Sequence, residues 1–287
     1  MSETAALQRL APGELLTLAH TYRLSFDVTS ARGTIGSKQG RETGASVEIQ
    51  DFRDYVPGDD PRRIDWMAYG RTDRLVVRLF REEVSPFVDL VIDSSASMAL
   101  RDGRKHALAA DLAAWLYHSA RAQAMPVRLY AAGTQVQRLE NPDQLRFEEP
   151  ECVLFTAPHR AAGALRRSSV RVLLTDFMAP ADPATSLRTL SAGCGMLVLI
   201  HLLGPWEADP RTEGPAVLQG VETGRQVDIH LDHKTVDGYR RRLRALITVL
   251  REEMFKCGGQ YVGLVADRGL EHVLKHILLP MGLAETD

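Results

Sequence analysis

Two hydrophobic periods run along this chain, and they change over near residue 85. From Pro12 to about Leu24 the apolar residues Leu15, Leu16, Leu18, Ala19 and Tyr22 recur at helical spacing and predict a short amphipathic helix. The stretch from Thr29 to Ala45 is rich in Gly, Ser and Thr and reads as a loop. Val47 to Tyr55 then alternates as a half-buried strand does and stops at the turn Pro57-Gly58-Asp59-Asp60. Arg62 to Trp66 and Leu75 to Phe80 read as further strand, so the pattern predicts a small β-rich subdomain ending near Glu83.

From Pro86 onward strands alternate with helices. Continuous apolar runs at 87–92 and 170–174 have the character of strands buried on both faces, and 196–201 and 261–266 read as further strands. Val127 to Ala131 and Gln135 to Leu139 flank Gly133-Thr134 and suggest a hairpin that adds one antiparallel edge strand. Helical spacing appears from Gly103 to Ala124, near 160–167 and 184–191, from Val236 to Lys256, and over 270–279. The first of these helices carries Leu108, Leu112, Trp115, Leu116 and Ser119 on one face, with Pro126 as its stop. A turn-rich excursion at 204–235 holds a second hairpin pattern at 221–227.

Such alternation predicts an α/β fold with a doubly wound, mostly parallel sheet. The division expected is 1–84 for the N-terminal helix and charged subdomain, and 85–283 for the sheet domain with its excursion.

The chemistry gathers at two strand ends. Asp93-Ser94-Ser95-Ala96-Ser97 follows the run 87–92, and the carboxyl end of a strand is where an open α/β sheet places its ligand. Residues two apart in an extended loop share a side, so Asp93, Ser95 and Ser97 can face one point. An all-oxygen set with no sulfur or imidazole suits a hard cation. Thr175-Asp176 ends a second buried strand, and at a topological switch point Asp176 would meet Asp93 across the crevice. The same Asp and Ser residues also suit a plain helix cap, and that reading stays open.

Composition narrows the field. The 287 residues carry 45% hydrophobic content and a net charge of -2, so no global field draws the chain onto nucleic acid or an anionic membrane. Cys152, Cys194 and Cys257 are far apart and read as small buried hydrophobes, and the histidines show no metalloprotease spacing. No leader pattern is visible, and no apolar segment approaches the ~20 residues that span a bilayer, so a cytoplasmic protein is expected. Trp66 is expected in the core, and Arg166-Arg167 and Arg240-Arg241-Arg242 on solvated helix faces. Arg53, Asp54, Asp59, Asp60, Arg62, Asp65 and Arg71 are expected to form an ionic network holding the small subdomain onto the larger one.

Asp93-x-Ser95-x-Ser97 with Asp176 resembles the metal-ion-dependent adhesion site (MIDAS) of von Willebrand factor type A domains. The block Phe52 to Trp66, Arg71, the Asp-Ser-Ser loop and Glu222-Thr223-Gly224 together resemble the bacterial "domain of unknown function 58" family. That resemblance implies a von Willebrand A-like fold and a Mg²⁺ or Mn²⁺ ion at Asp93, Ser95, Ser97 and Asp176. It also implies association with a MoxR-type AAA+ ATPase. The family site usually includes a Thr from an intermediate loop; here His159 stands in that place, with Thr156 nearby.

The function expected is a non-enzymatic, metal-dependent protein-binding module, an adaptor or co-chaperone that holds an acidic partner residue through the ion. The chain has no Gly-rich phosphate loop, so nucleotide energy would come from the partner. The competing readings are a phosphoaspartate-type hydrolase using Asp93, which normally carries a carboxylate where Ser95 stands, and a metal-free scaffold.

Overall fold

A computed structural model of the chain describes residues 9–26, 47–57, 59, 61–82, 86–99, 103–179, 181–210, 214–219 and 226–286. Two compact units emerge, 1–36 with 86–287, and 37–85.

Helix α1 (Pro12–Thr21) runs directly into the short strand β1 (Tyr22–Leu24), and Glu14 closes its first turn by accepting from the Ala11 amide at 2.9 Å. β2 (Val47–Asp54) leads to a 3-10 turn at Pro61–Arg63, helix α2 (Trp66–Thr72) and β3 (Val76–Glu82), which pairs antiparallel with β2. The strand expected at 62–66 is therefore replaced by a turn and a helix start. Asp65 is the physical reason: its carboxylate caps the helix by accepting from the Met67 and Ala68 amides at 3.0 and 3.1 Å. Only Ile64 keeps a bridge, to Val77. The cap also turns Trp66 outward, where it is 60% exposed rather than in the core.

In the larger unit, β4 (Val88–Asp93) is followed by a 3-10 turn at Ala96–Met98 and by α3 (Arg104–Ala122). Then come β5 (Val127–Ala132), β6 (Val136–Leu139), the short helices α4 (Val153–Thr156) and α5 (Pro158–Ala164), β7 (Val170–Thr175) and α6 (Pro183–Ser191). The chain continues through β8 (Met196–Leu203), α7 (Pro205–Ala208), β9 (Gly214–Gln219), β10 (Gln226–Leu231) and α8 (His233–Lys256). It closes with β11 (Gln260–Val265), α9 (Leu270–Val273), a π turn at Leu274–Leu278 and β12 (Ala284–Thr286).

Six strands form one sheet in the order β11-β8-β7-β4-β5-β6, all parallel except β6, which returns antiparallel to β5 as the hairpin pattern predicts. Helices cover both faces. Val88, Leu90 and Ile92 of β4 pack with Leu108 and Leu112 of α3, while Val91 points the other way, into a layer holding Leu187 of α6 and Leu250 and Met254 of α8. Chain order runs outward from β4 to β5 and β6, then returns to β7 on the opposite side, so the switch point lies between β4 and β7.

The N-terminal helix belongs with this larger unit and not with the charged subdomain. Its Leu15 and Ala19 join the core that α3 builds, the Ser119 hydroxyl accepts from the Leu24 amide at 2.7 Å, and β1 pairs with β12. β9 and β10 pair antiparallel within the excursion; of the hairpin expected at 221–227, residues 221–225 lie outside the described residues, as does the loop expected at 29–45.

Candidate functional site

The register Ile92↔Leu174 makes β4 and β7 leave the sheet side by side, so Asp93 meets Thr175 and the next residue is Asp176. The loop after β4 is held by backbone: Ala96 donates to the Glu149 carbonyl and Glu149 to that of Ser94. This directs the side chains. Asp93 Oδ1 accepts from the Ser95 amide at 2.9 Å and the Ser95 hydroxyl at 2.6 Å, and Ser95 Oγ lies 3.0 Å from Ser97 Oγ. Lys105 joins Ser97 to Asp176, its Nζ donating to the Ser97 carbonyl at 3.0 Å and to Asp176 Oδ2 at 2.7 Å. The four residues expected from the sequence are therefore brought together at the switch point, the first three by their own oxygens and Asp176 through Lys105.

Thr175 completes the cluster, donating to Asp93 Oδ2 at 2.6 Å while accepting from the Phe177 amide at 3.2 Å. Phe177 takes a left-handed backbone (φ 52°) directly after Asp176 and packs on Phe155 with ring centroids 4.6 Å apart. Non-glycine residues hold that conformation only where their surroundings enforce it.

A lysine that the sequence reading passed over sits at the centre. Lys105, on the first turn of α3, is fully buried, and its Nζ donates to Asp176 Oδ2 at 2.7 Å, to Glu207 Oε1 at 3.0 Å and to the Ser97 carbonyl at 3.0 Å. Glu207 is placed by its own turn, where Oε2 accepts from the Gly204 amide at 2.6 Å. His201 reaches the same corner, with Nε2 2.7 Å from the Asp176 carbonyl oxygen and Nδ1 2.8 Å from the Tyr261 hydroxyl.

The electrostatics divide the two aspartates. Burial, then the charge of Asp176, pushes the Asp93 carboxyl up, against its hydrogen bonds from Ser95 and Thr175. Burial opposes the charge on Asp176 as well, but the Lys105 ammonium, the Met178 amide and Ser97 bring that carboxyl below its usual range. Burial also raises Glu207, despite Lys105. His201 is lowered to about 4 by burial and stays neutral.

The intermediate-loop residues behave differently from the family pattern. Thr156 is exposed with its hydroxyl bonded back to the Cys152 carbonyl at 3.3 Å, and His159 is exposed on α5. Cys152 is buried instead beside Asp93, and burial followed by the Asp93 charge holds its thiol well above the ordinary range. It is a buried core residue, as expected, that also borders the site.

A signal for Lys105 was present in the sequence: it lies three residues before Leu108 and seven before Leu112, on the apolar stripe of α3, where a lysine must have a buried partner. Thr175, Glu207 and His201 had no such mark.

The charged block gives simpler structure. Arg53 clamps Asp59 with both guanidinium nitrogens at 2.7 and 2.6 Å, Arg74 lies 3.5 Å from Asp54, and Asp65 caps α2. These contacts are internal to the smaller unit, and Asp60 lies outside the described residues.

Among the described residues no group of three or more His, Cys, Asp or Glu side chains is gathered as a metal-ligand set; the cluster offers two carboxylates and two serine hydroxyls. No helix among them is long and apolar enough to cross a membrane. An α/β protein with an acidic, hydroxyl-rich cluster at its switch point is the class that fold and site define.

The chain belongs to the family described as protein of unknown function DUF58, whose model matches residues 51–248. Uncharacterized proteins of Mycobacterium tuberculosis and Mycobacterium bovis are 28% identical over 254 residues, which is 81% of this chain and 79% of theirs. Among solved structures, a conserved hypothetical protein BatB of Bacteroides thetaiotaomicron matches with a TM-score of 0.36 at 11% identity, over 68% of this chain and 97% of that one. An aerotolerance-related membrane protein of Bacteroides fragilis matches with a TM-score of 0.31 at 12% identity, over 60% and 99%.

Proposed function

We propose that this protein is a non-enzymatic binding module of von Willebrand A-like type that holds Mg²⁺ or Mn²⁺ at Asp93, Ser95, Ser97 and Asp176. The observation that carries the reading is the electrostatic setting of Asp93. Burial and the charge of Asp176 together disfavour the charged form of Asp93, while the Lys105 ammonium is taken up by Asp176 and Glu207, so among the described residues nothing cationic faces Asp93 from that side. A divalent ion would relieve that penalty, and oxygen donors of this kind suit Mg²⁺ or Mn²⁺. The ion would supply an electrophilic point for a carboxylate of a partner protein.

On this reading the partner is an acidic surface, and the role is that of an adaptor or co-chaperone of a MoxR-type AAA+ ATPase, as the family resemblance implies. The hydrolase alternative asks Asp93 to attack phosphorus. Asp93 is fully buried, both of its oxygens are engaged by Ser95 and Thr175, and its carboxyl is raised toward the neutral form, all of which oppose a nucleophilic role.

Calorimetry with Mg²⁺ and Mn²⁺ on the wild type and on Asp93→Ala tests the proposal. Heat of binding in the wild type that is lost in the variant supports it, whereas no heat in either makes the loop a scaffold. Mg²⁺-dependent cleavage of a generic phosphoester, abolished by Asp93→Asn, would replace the binding module with an enzyme.

A further inference from the structure

A second polar cluster lies at the opposite end of the same sheet. The register Asp89↔Arg128 and Asp89↔Arg171 flanks Asp89 with an arginine on each neighbouring strand, and Tyr130↔Arg138 puts a third arginine on the same face. Arg166, just beyond α5, adds a fourth, its guanidinium stacked 4.5 Å from the Phe87 ring centroid. It is half-buried there and not on a solvated helix face.

Four arginines thus lie on the face that carries Asp89 or at its edge, and the Asp89 carboxylate is partly committed elsewhere. Asp89 Oδ2 accepts from the Arg166 amide at 2.8 Å and the Ser169 hydroxyl at 3.0 Å. Arg171, 1% exposed, spends its terminal nitrogens on the Leu190 and Arg166 carbonyls at 2.6 and 2.9 Å. What is left over is informative. Arg128 Nε, Arg166 Nη1 and Arg171 Nε are buried with no acceptor, beside a single unpartnered acceptor, Asp89 Oδ1. Buried donors are almost always satisfied, and three charged ones in one place call for an acceptor that carries negative charge. Planar guanidinium forks are matched to oxyanions. Burial and the proximity of Arg128 and Arg138 also disfavour the charged form of Arg166, the penalty an anion would relieve.

We propose that Arg128, Arg138 and Arg166 form a binding site for a phosphate-class oxyanion, with Asp89 and Arg171 as its fixed floor. Arg138 is exposed and provides the entrance, while Arg128 and Arg166 supply the buried donors. The site is independent of the Asp93 cluster: Asp89 stands four residues earlier on the same strand, at its amino end.

The test is isothermal calorimetry and thermal unfolding of the full chain with inorganic phosphate, against sodium chloride at matched ionic strength. Saturable binding of phosphate with a rise in Tm is expected, weakened at least tenfold in Arg128→Gln and in Arg138→Gln. The second variant, at an exposed residue, guards against a misfolded first. Arg74→Gln, in the smaller unit, and Asp93→Ala should bind phosphate as the wild type does. Phosphate and chloride acting alike, or phosphate binding that survives in both Arg128→Gln and Arg138→Gln, overturns the proposal and leaves the donors to buried water. Loss of Mg²⁺ binding in Asp93→Ala with phosphate binding retained would separate the two sites.

Discussion

Replacing Lys105 by methionine keeps the methylene stem and removes the ammonium that Asp176, Glu207 and the Ser97 carbonyl share. Taking one partner out of a buried ion pair typically costs about 3–5 kcal/mol, because an uncompensated charge stays behind. Two routes compete in the variant. Either both carboxylates remain ionised, or one takes up a proton. Protonating a carboxylate of ordinary pKa near 4 at pH 7 costs about 4 kcal/mol, which caps the penalty per carboxylate. The second route therefore governs, and the expected loss at pH 7 is about 4 kcal/mol.

The cap has a pH signature. Each unit of acidification lowers the cost of that proton by about 1.4 kcal/mol, so the deficit of Lys105→Met relative to the wild type should shrink to about 2 kcal/mol near pH 5.5. Urea unfolding followed by fluorescence measures it in a Trp66→Phe, Trp206→Phe background. The remaining Trp115 is buried within α3, its indole donating to the Tyr22 carbonyl at 3.0 Å. A deficit below about 1 kcal/mol, or one that does not change between pH 7 and pH 5.5, would refute the idea that Lys105 neutralises the corner and leave it a packing residue.

Other outcomes follow from the same corner. His201, neutral when folded and lowered to about 4 from 6.5 in the unfolded chain, contributes stability that is whole above pH ~6.5. That contribution, about 3 kcal/mol, drains as the pH falls toward 4, because only the unfolded chain accepts the proton. His201→Gln should remove this part of the acid sensitivity in a pH series of urea melts, and an unchanged slope between pH 6.5 and 4.5 counts against it. Thr175→Val keeps the shape but strips Asp93 Oδ2 of its donor and the Phe177 amide of its acceptor, so a loss of about 1–2 kcal/mol is expected in the same melts. A variant as stable as the wild type would mean the hydroxyl is dispensable.

Much of the larger unit was legible because its strands are apolar on both faces. Val88 to Ile92, Val170 to Leu174 and Met196 to Ile200 can satisfy such a pattern only in the middle of a covered sheet, and they occupy it. Asp93, Ser95 and Ser97 were legible for a related reason, since their spacing is local and one extended loop carries them. The smaller unit was less so. Alternation over 62–66 is too short to outweigh one capping carboxylate at Asp65, and the same cap carries Trp66 to the surface.

From the sequence alone, then, came the alternating α/β order, the two strand ends that bear carboxylates and the hydroxyls beside the first. Local spacing settles those. The tertiary structure decided which strands are neighbours, and with that the meeting of Asp93 with Thr175 and of Asp176 with Lys105 and Glu207, as well as the arginine cluster around Asp89. Residues 71 and 102 positions from Lys105 become its hydrogen-bond partners only once β7 and β8 have taken their places in the sheet. No period along the chain encodes a contact of that range. It is set by the strand order that buries the most apolar surface while leaving each buried charge a partner.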